Sequence, residues 1–194
     1  MTDPRRGSNR GHETRARIAD IALELFLGRG YHETSMQQIA DRLGITKAAL
    51  YYHFASKSDI VGSLIEPLAD ELDLVLDLAE QADDQQNVRA AVLEGYLDVL
   101  IRYRGSILSL MRDVSATPPD FYGRMVRFGE RAKELIAGPN ASLDERIRAT
   151  QALSALGDPL VLFPDTPGEE LREKILDGAW RLLEEPPDRR RTRQ

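Results

Sequence analysis

The chain contains no cysteine, which excludes disulfides, thiolate metal sites and cysteine redox sensors. Histidine is nearly as scarce. His12, His32 and His53 stand apart, without metal-ligand spacing. No apolar run approaches the roughly 20 residues that a membrane-spanning helix needs, so no membrane partner is expected. The start, Met1 to Gly7, is basic but lacks the apolar stretch of a secretory signal. These absences point to a cytoplasmic protein. Enzyme signatures are missing too. There is no glycine-rich phosphate loop closing on Lys-Ser/Thr and no Gly-x-Ser-x-Gly elbow. The acid pairs Asp83-Asp84 and Glu169-Glu170 suit a loop and a helix start better than general acid–base work. No catalytic residue, cofactor or metal is expected.

What is present suits a globular protein with a substantial core: 42% hydrophobic and 30% charged residues over 194 positions. The net charge of −6 is unevenly spread. Residues 1–60 carry nine basic and seven acidic side chains, residues 61–185 carry 13 and 24, and residues 186–194 carry four and one. Only the N-terminal part of the folded chain is not repelled by phosphate. Any nucleic-acid contact must therefore be local.

Helical periodicity dominates, and no stretch alternates like a strand. The fold expected is all-α: a three-helix N-terminal domain followed by a larger helical one. Ile18, Ile21, Ala22, Leu25 and Phe26 line one helix, which Gly28-Arg29-Gly30 ends. Ser35 and Gln38 have capping-box spacing before the stripe Met36, Ile39, Ala40 and Leu43. Gly44 interrupts the pattern, and Thr46 can cap a short helix running to Phe54. Val88, Ala91, Val92, Gly95, Tyr96, Val99 and Leu100 mark a later amphipathic face. Residues 1–11 read as a mobile basic arm, 12–60 as the first domain, 61–185 as the second and 186–194 as a disordered basic tail. Pro67 and Pro159 fall inside helical stretches and should kink or break them.

Ala40, Gly44 and Leu50 carry the functional signal. A helix-turn-helix needs a small residue where its helices cross, a turn residue tolerant of positive φ, and an apolar residue inside the second helix. Those three residues meet the needs in order, and Ile45 plugs the turn. With Ala49, Leu50 and Phe54 turned inward or sideways, the second helix offers Lys47, Ala48, Tyr51 and Tyr52 outward. That compact, basic and aromatic surface suits a DNA major groove.

At this point the chain resembles the TetR family of bacterial transcriptional regulators. The matching residues are Ala22, Leu25-Phe26, Gly30-Tyr31, Thr34, Ile39-Ala40, Gly44-Ile45-Thr46, Leu50-Tyr51, His53-Phe54, Lys57 and Ile60. The resemblance covers about residues 15 to 61. It implies that Gln37, Lys47, Ala48 and Tyr51 face base edges, and that Thr34, Thr46, Tyr52, His53 and Lys57 lie near phosphates. Ala48 and Ala49 offer no hydrogen bonds, so base readout should be sparse or water-mediated. The arginines at 5, 6, 10, 15 and 17 could track the adjacent minor groove or remain solvated.

The resemblance further implies a homodimer on a pseudo-palindromic double-stranded operator, with repression relieved by a small molecule. The alternative is a helical ligand-binding or interaction module whose helix-turn-helix is structural. Candidate ligand-lining residues are Leu97, Leu100, Ile101, Tyr103, Leu108, Met111, Phe121, Tyr122, Met125 and Phe128, because methionine and aromatic side chains suit an adaptable apolar cavity. The expected dimer helices span about residues 143–163 and 168–184. Ala149, Ala152, Leu153, Leu156 and Leu160 line the first; Leu171, Ile175, Ala179, Trp180 and Leu183 line the second.

Overall fold

The computed structural model describes residues 4–112 and 117–184. Among these the regular elements are all helices: α1 (Pro4–Arg29), α2 (Met36–Leu43), α3 (Lys47–His53), α4 (Lys57–Ala79), α5 (Gln85–Arg102), α6 (Arg104–Arg112), α7 (Pro119–Ala137), α8 (Leu143–Ser154), α9 (Asp158–Leu162) and α10 (Gly168–Leu183). None of the described helices is long and apolar enough to cross a membrane.

The chain forms two compact units. The first holds the residues through Ala69 and also Tyr103–Arg124. Its core is Ile18, Ala22, Phe26, Ile39, Ala40, Leu50, Phe54, Ile60 and Ile65, each essentially without solvent contact. The sequence placed 103–124 in the second domain, but α6 packs on α1. Gly105 sits against Leu23 and Leu27, and Ser106 is buried. α1 thus has a second apolar side that α6 covers, which a single-stripe reading of that helix misses.

The second unit holds Asp70–Arg102 and the chain from Met125 on. Leu72, Leu76, Val92, Leu93, Leu97, Ala132, Ile136, Ala149, Ala152, Leu156 and Ala179 are buried in it. Leu93 and Leu97 lie outside the expected face of α5, because that helix is covered on more than one side. Arg172 ties α10 to α5 through Asp98 at 2.6 Å and Glu94 at 3.6 Å. Arg131 ties α7 to Asp77 in α4 and to Glu80 just after it, both at 2.8 Å. Gln85 and Arg89 donate to the carbonyls of Leu135 (2.7 Å) and Ile136 (2.8 Å), groups that the end of α7 would otherwise leave without a partner.

Three expectations about helix limits change. α1 is helical from Pro4, within the stretch expected to be mobile, and proline is well suited to a first helical turn. The helix expected over 143–163 breaks at 155–157 into α8 and α9, with Pro159 in the first turn of α9, the one place where its missing N–H is not needed. α4 runs through Pro67 without interruption, the proline lying exposed on its surface.

Candidate nucleic-acid interface

The reading helix is built by its caps. The Ser35 hydroxyl accepts from the Gln38 N–H at 3.2 Å, and the Gln38 side chain accepts from the Ser35 N–H at 2.7 Å. This reciprocal box starts α2. At its end Gly44 takes φ 69°, a left-handed conformation that costs other residues energy, and its N–H donates to the carbonyls of Ala40 and Asp41. Thr46 then caps α3 by accepting from the Ala49 N–H at 3.1 Å. Leu50 and Phe54 go inward. Ala49, expected inward or sideways, is exposed, so the outward set is Lys47, Ala48, Ala49, Tyr51 and Tyr52. Tyr52 is 86% exposed and Tyr51 46%, a costly display of aromatic surface unless something covers it.

The other expected DNA-contacting residues divide. Gln37 is exposed, its amide donating to Asp41 at 2.7 Å. His53 is half-buried, its ring edge-to-face with Tyr52 at 5.2 Å. Lys57 Nζ donates to the Tyr31 carbonyl at 2.6 Å and stands 4.3 Å from the Tyr31 ring. It braces the α1–α2 turn while keeping its charge at this edge. Thr34 is a correction: it is buried, and its hydroxyl donates to the Gly30 carbonyl at 2.8 Å. That bond closes the turn after α1, so the side chain is not presented to a phosphate.

Arg15, expected to track the minor groove or remain solvated, instead has a structural part in the interface. Arg15 Nη1 donates to the His53 carbonyl at 2.7 Å, and its guanidinium lies 4.1 Å from the centre of the Phe54 ring. α1 therefore satisfies an end carbonyl of α3 and fixes where that helix stops. The two residues are 38 positions apart, and no local pattern signals the contact.

The family model for bacterial regulatory proteins of the tetR family matches residues 18–64. Over 104 residues the chain is 36% identical to the HTH-type transcriptional activator FasR of Mycolicibacterium smegmatis, covering 50% of this chain and 47% of FasR. Among solved structures, it resembles the TetR-family transcriptional regulator PfmR of Thermus thermophilus with a TM-score of 0.69 at 25% identity, over 87% of this chain and all of that one. AmtR of Mycobacterium smegmatis gives a TM-score of 0.69 at 26% identity, over 90% and 87%. In sequence the likeness to the TetR family lies over residues 18–64, and in fold it extends over most of the chain. The chain's match spans just under half the length of FasR.

TetR-family proteins are regulators, not enzymes. Beyond the reader, the chain distributes the expected ligand residues between its two units. Leu97, Leu100 and Phe128 are buried in the second unit, and Ile101 and Met125 are half-buried there. Tyr103, Leu108 and Phe121 are half-buried in the first, where Phe121 packs against the reader's core. Met111 and Tyr122 are 58% and 73% exposed. Tyr96, not among the ligand candidates, packs its ring 4.9 Å from Phe128, and burial pushes its phenol above the ordinary tyrosine pKa. A separate polar cleft of about 780 Å³ lies in the second unit between α7 and α8, lined by Glu130, Lys133, Glu134, Arg146 and Thr150 among others. None of the expected ligand residues lines it.

The expected dimer residues require the larger correction. Ala149, Ala152, Leu153, Leu156, Leu160, Leu171, Ile175 and Ala179 are buried within one copy of the chain, where α8 packs on α10. An apolar helix stripe does not reveal whether its partner helix is in the same chain. Trp180 and Leu183 remain half-buried. Leu143, Ile147, Leu162 and Leu182 are the exposed apolar residues on these three helices, together with Phe163 just after α9.

Proposed function

We propose that the chain is a DNA-binding transcriptional regulator that reads a pseudo-palindromic duplex as a homodimer. The observation that carries this is the outward set on α3, two exposed tyrosines and Lys47 on a helix whose inner side is pinned by Leu50. Lysine can donate to guanine acceptors, alanine can touch a thymine methyl, and tyrosine hydroxyls can hold phosphate oxygens. One such helix covers only a few base pairs, so useful specificity needs a second at fixed spacing. Leu143, Ile147 and Leu182, with the half-buried Trp180 and Leu183, supply the face for that second copy.

A small molecule would bind in the second unit around Leu97, Leu100 and Phe128, with the Tyr96 hydroxyl as a polar handle. The chain leaves the first unit for the second just after Pro67, within α4. Ligand binding would bias α4 there and change the separation of the two reading helices. Repression is the simpler output, because occluding a promoter needs no further contact. FasR carries the name of an activator, so the sign rests on operator position more than on the fold.

The test is a gel shift with DNA flanking the protein's own gene. A salt-sensitive, sequence-selective shift that Tyr52→Ala abolishes without loss of helicity is expected. No shift at any salt would favour an interaction module with a structural helix-turn-helix.

A further inference from the structure

We propose that the cleft between α7 and α8 is a second ligand site, shaped for a short peptide with free ends, an ammonium at one and a carboxylate at the other. The proposal does not draw on the DNA-binding reading. The site is also separate from the apolar region around Leu97, Leu100 and Phe128, none of which lines it. α7 contributes Glu130, Lys133 and Glu134, whose spacing of three and four residues sets them on one side of the helix. α8 contributes Arg146 and Thr150, four apart. Asn140, in the left-handed region at φ 59°, belongs to the loop that joins the two walls.

The walls stand apart because each is anchored elsewhere. α8 packs on α10 and has little direct contact with α7. α7 is held through Arg131 and through the carbonyls that Gln85 and Arg89 bond. Neither anchor uses a charged residue of the cleft. The space is therefore preformed, and its volume of about 780 Å³ lies in the range of sites for drug-sized molecules. A single amino acid would leave most of it empty.

Charge decides the ligand class. Two carboxylates and two cations line the cleft. Among the described residues, none of these four side chains makes an ion pair or a hydrogen bond. An isolated surface charge is commonly just solvated. Here both signs share one concave surface, which strengthens their field, and neither is spent on the other. An anion alone would also meet Glu130 and Glu134, and a cation alone would also meet Lys133 and Arg146. A dipolar ligand suits both: its ammonium donates to the carboxylates, and its carboxylate accepts from the planar fork of Arg146. The Thr150 hydroxyl already donates to the Arg146 carbonyl at 2.8 Å, so its oxygen is left to accept, as a peptide N–H requires.

The experiment is isothermal titration calorimetry of the full-length protein with trialanine and with N-acetyl-trialanine amide, which keeps the backbone but has no charged end. Arg146→Gln, Glu130→Gln/Glu134→Gln and a control, Arg127→Gln, are compared with the parent. Arg127 is on α7 but does not line the cleft, and all four side chains are exposed, so the variants should keep the parent's helical circular dichroism. Trialanine should bind one site per chain. The first two variants should each weaken it about tenfold or more, the loss expected for a hydrogen bond to a charged group, and Arg127→Gln should not. The blocked peptide should bind at least about tenfold more weakly than the free one. Equal binding of free and blocked peptides, equal losses in all three variants, or no binding by the parent at millimolar peptide overturns the proposal. None of these results bears on the DNA-binding reading.

Discussion

In the first unit, helices of eight and seven residues carry the reading surface; in the second, helices of 12 to 19 residues pack on one another. Helices as short as α2 and α3 are not stable alone in water. They persist because every end is capped and because Ile39, Leu50 and Phe54 are anchored in one small core. Such a design leaves α3 a single fully buried residue, Leu50, and most of its surface for contact. α8 and α10 use their apolar stripes on each other, and α10 is also tied to α5 by Arg172. A short, capped helix displays side chains; a long, striped one spends them on packing.

The sharpest way to break this contrast is to put a charge on each side of α8. Ala152→Asp buries an unpaired carboxylate at a position with no solvent contact. It should cost more than about 4 kcal/mol and unfold the second unit, seen as loss of helical circular dichroism. Ile147→Asp, at a residue 46% exposed, should change protomer stability by no more than about 0.5 kcal/mol. It should nevertheless convert a dimer to a monomer in analytical ultracentrifugation. A dimer that survives Ile147→Asp places the interface elsewhere. Leu50→Ala comes next, at roughly 2–5 kcal/mol, with DNA binding lost because the inner anchor of the reading helix is gone.

The reading domain was legible because its signals are local. Ser35 and Gln38 are three residues apart, Gly44 marks a turn, and the Ala40, Gly44 and Leu50 spacing lies within two turns of helix and a bend. The caps and buried positions follow from that pattern. Thr34 was misread because a hydroxyl near a helix start can face a phosphate or a carbonyl, and only the fold shows the Gly30 bond. In the second unit the same helical period that located α8 and α10 could not distinguish packing within a chain from packing between two. Arg15, meeting α3 from 38 residues away, and Phe121, joining the reader's core from far along the chain, depend on tertiary proximity that no spacing encodes.

Tyr52→Ala and Arg15→Ala sharpen the contrast by separating display from support. Tyr52 is almost fully exposed, so its loss should leave the melting temperature within a degree or two while weakening operator binding about tenfold, or ~1.4 kcal/mol. Arg15 joins two elements, so its loss should lower both, with a stability cost of about 1 kcal/mol from the missing carbonyl bond and ring contact. Equal effects of the two on stability would contradict the division between a displayed residue and a supporting one.

The smallest expected effect concerns a cap in the second unit that mirrors the one on α2. Ser142 and Glu145 form a capping box at the start of α8, as Ser35 and Gln38 do for α2. The two differ in charge. The Ser142 hydroxyl first, and its backbone N–H second, donate to the Glu145 carboxylate and hold its pKa below the usual glutamate value. A depressed folded-state pKa means the charged form favours the fold. The contribution is complete above the ordinary glutamate range and disappears as pH falls through the lower folded value. Gln38 has no such titration. Acidification should therefore loosen the first turn of α8 while leaving that of α2 intact, measured by amide hydrogen exchange at residues 143–146 and 36–39. Glu145→Gln should remove the difference. Equal acid sensitivity of the two helix starts in the parent protein would show that the carboxylate is not what sets α8 apart.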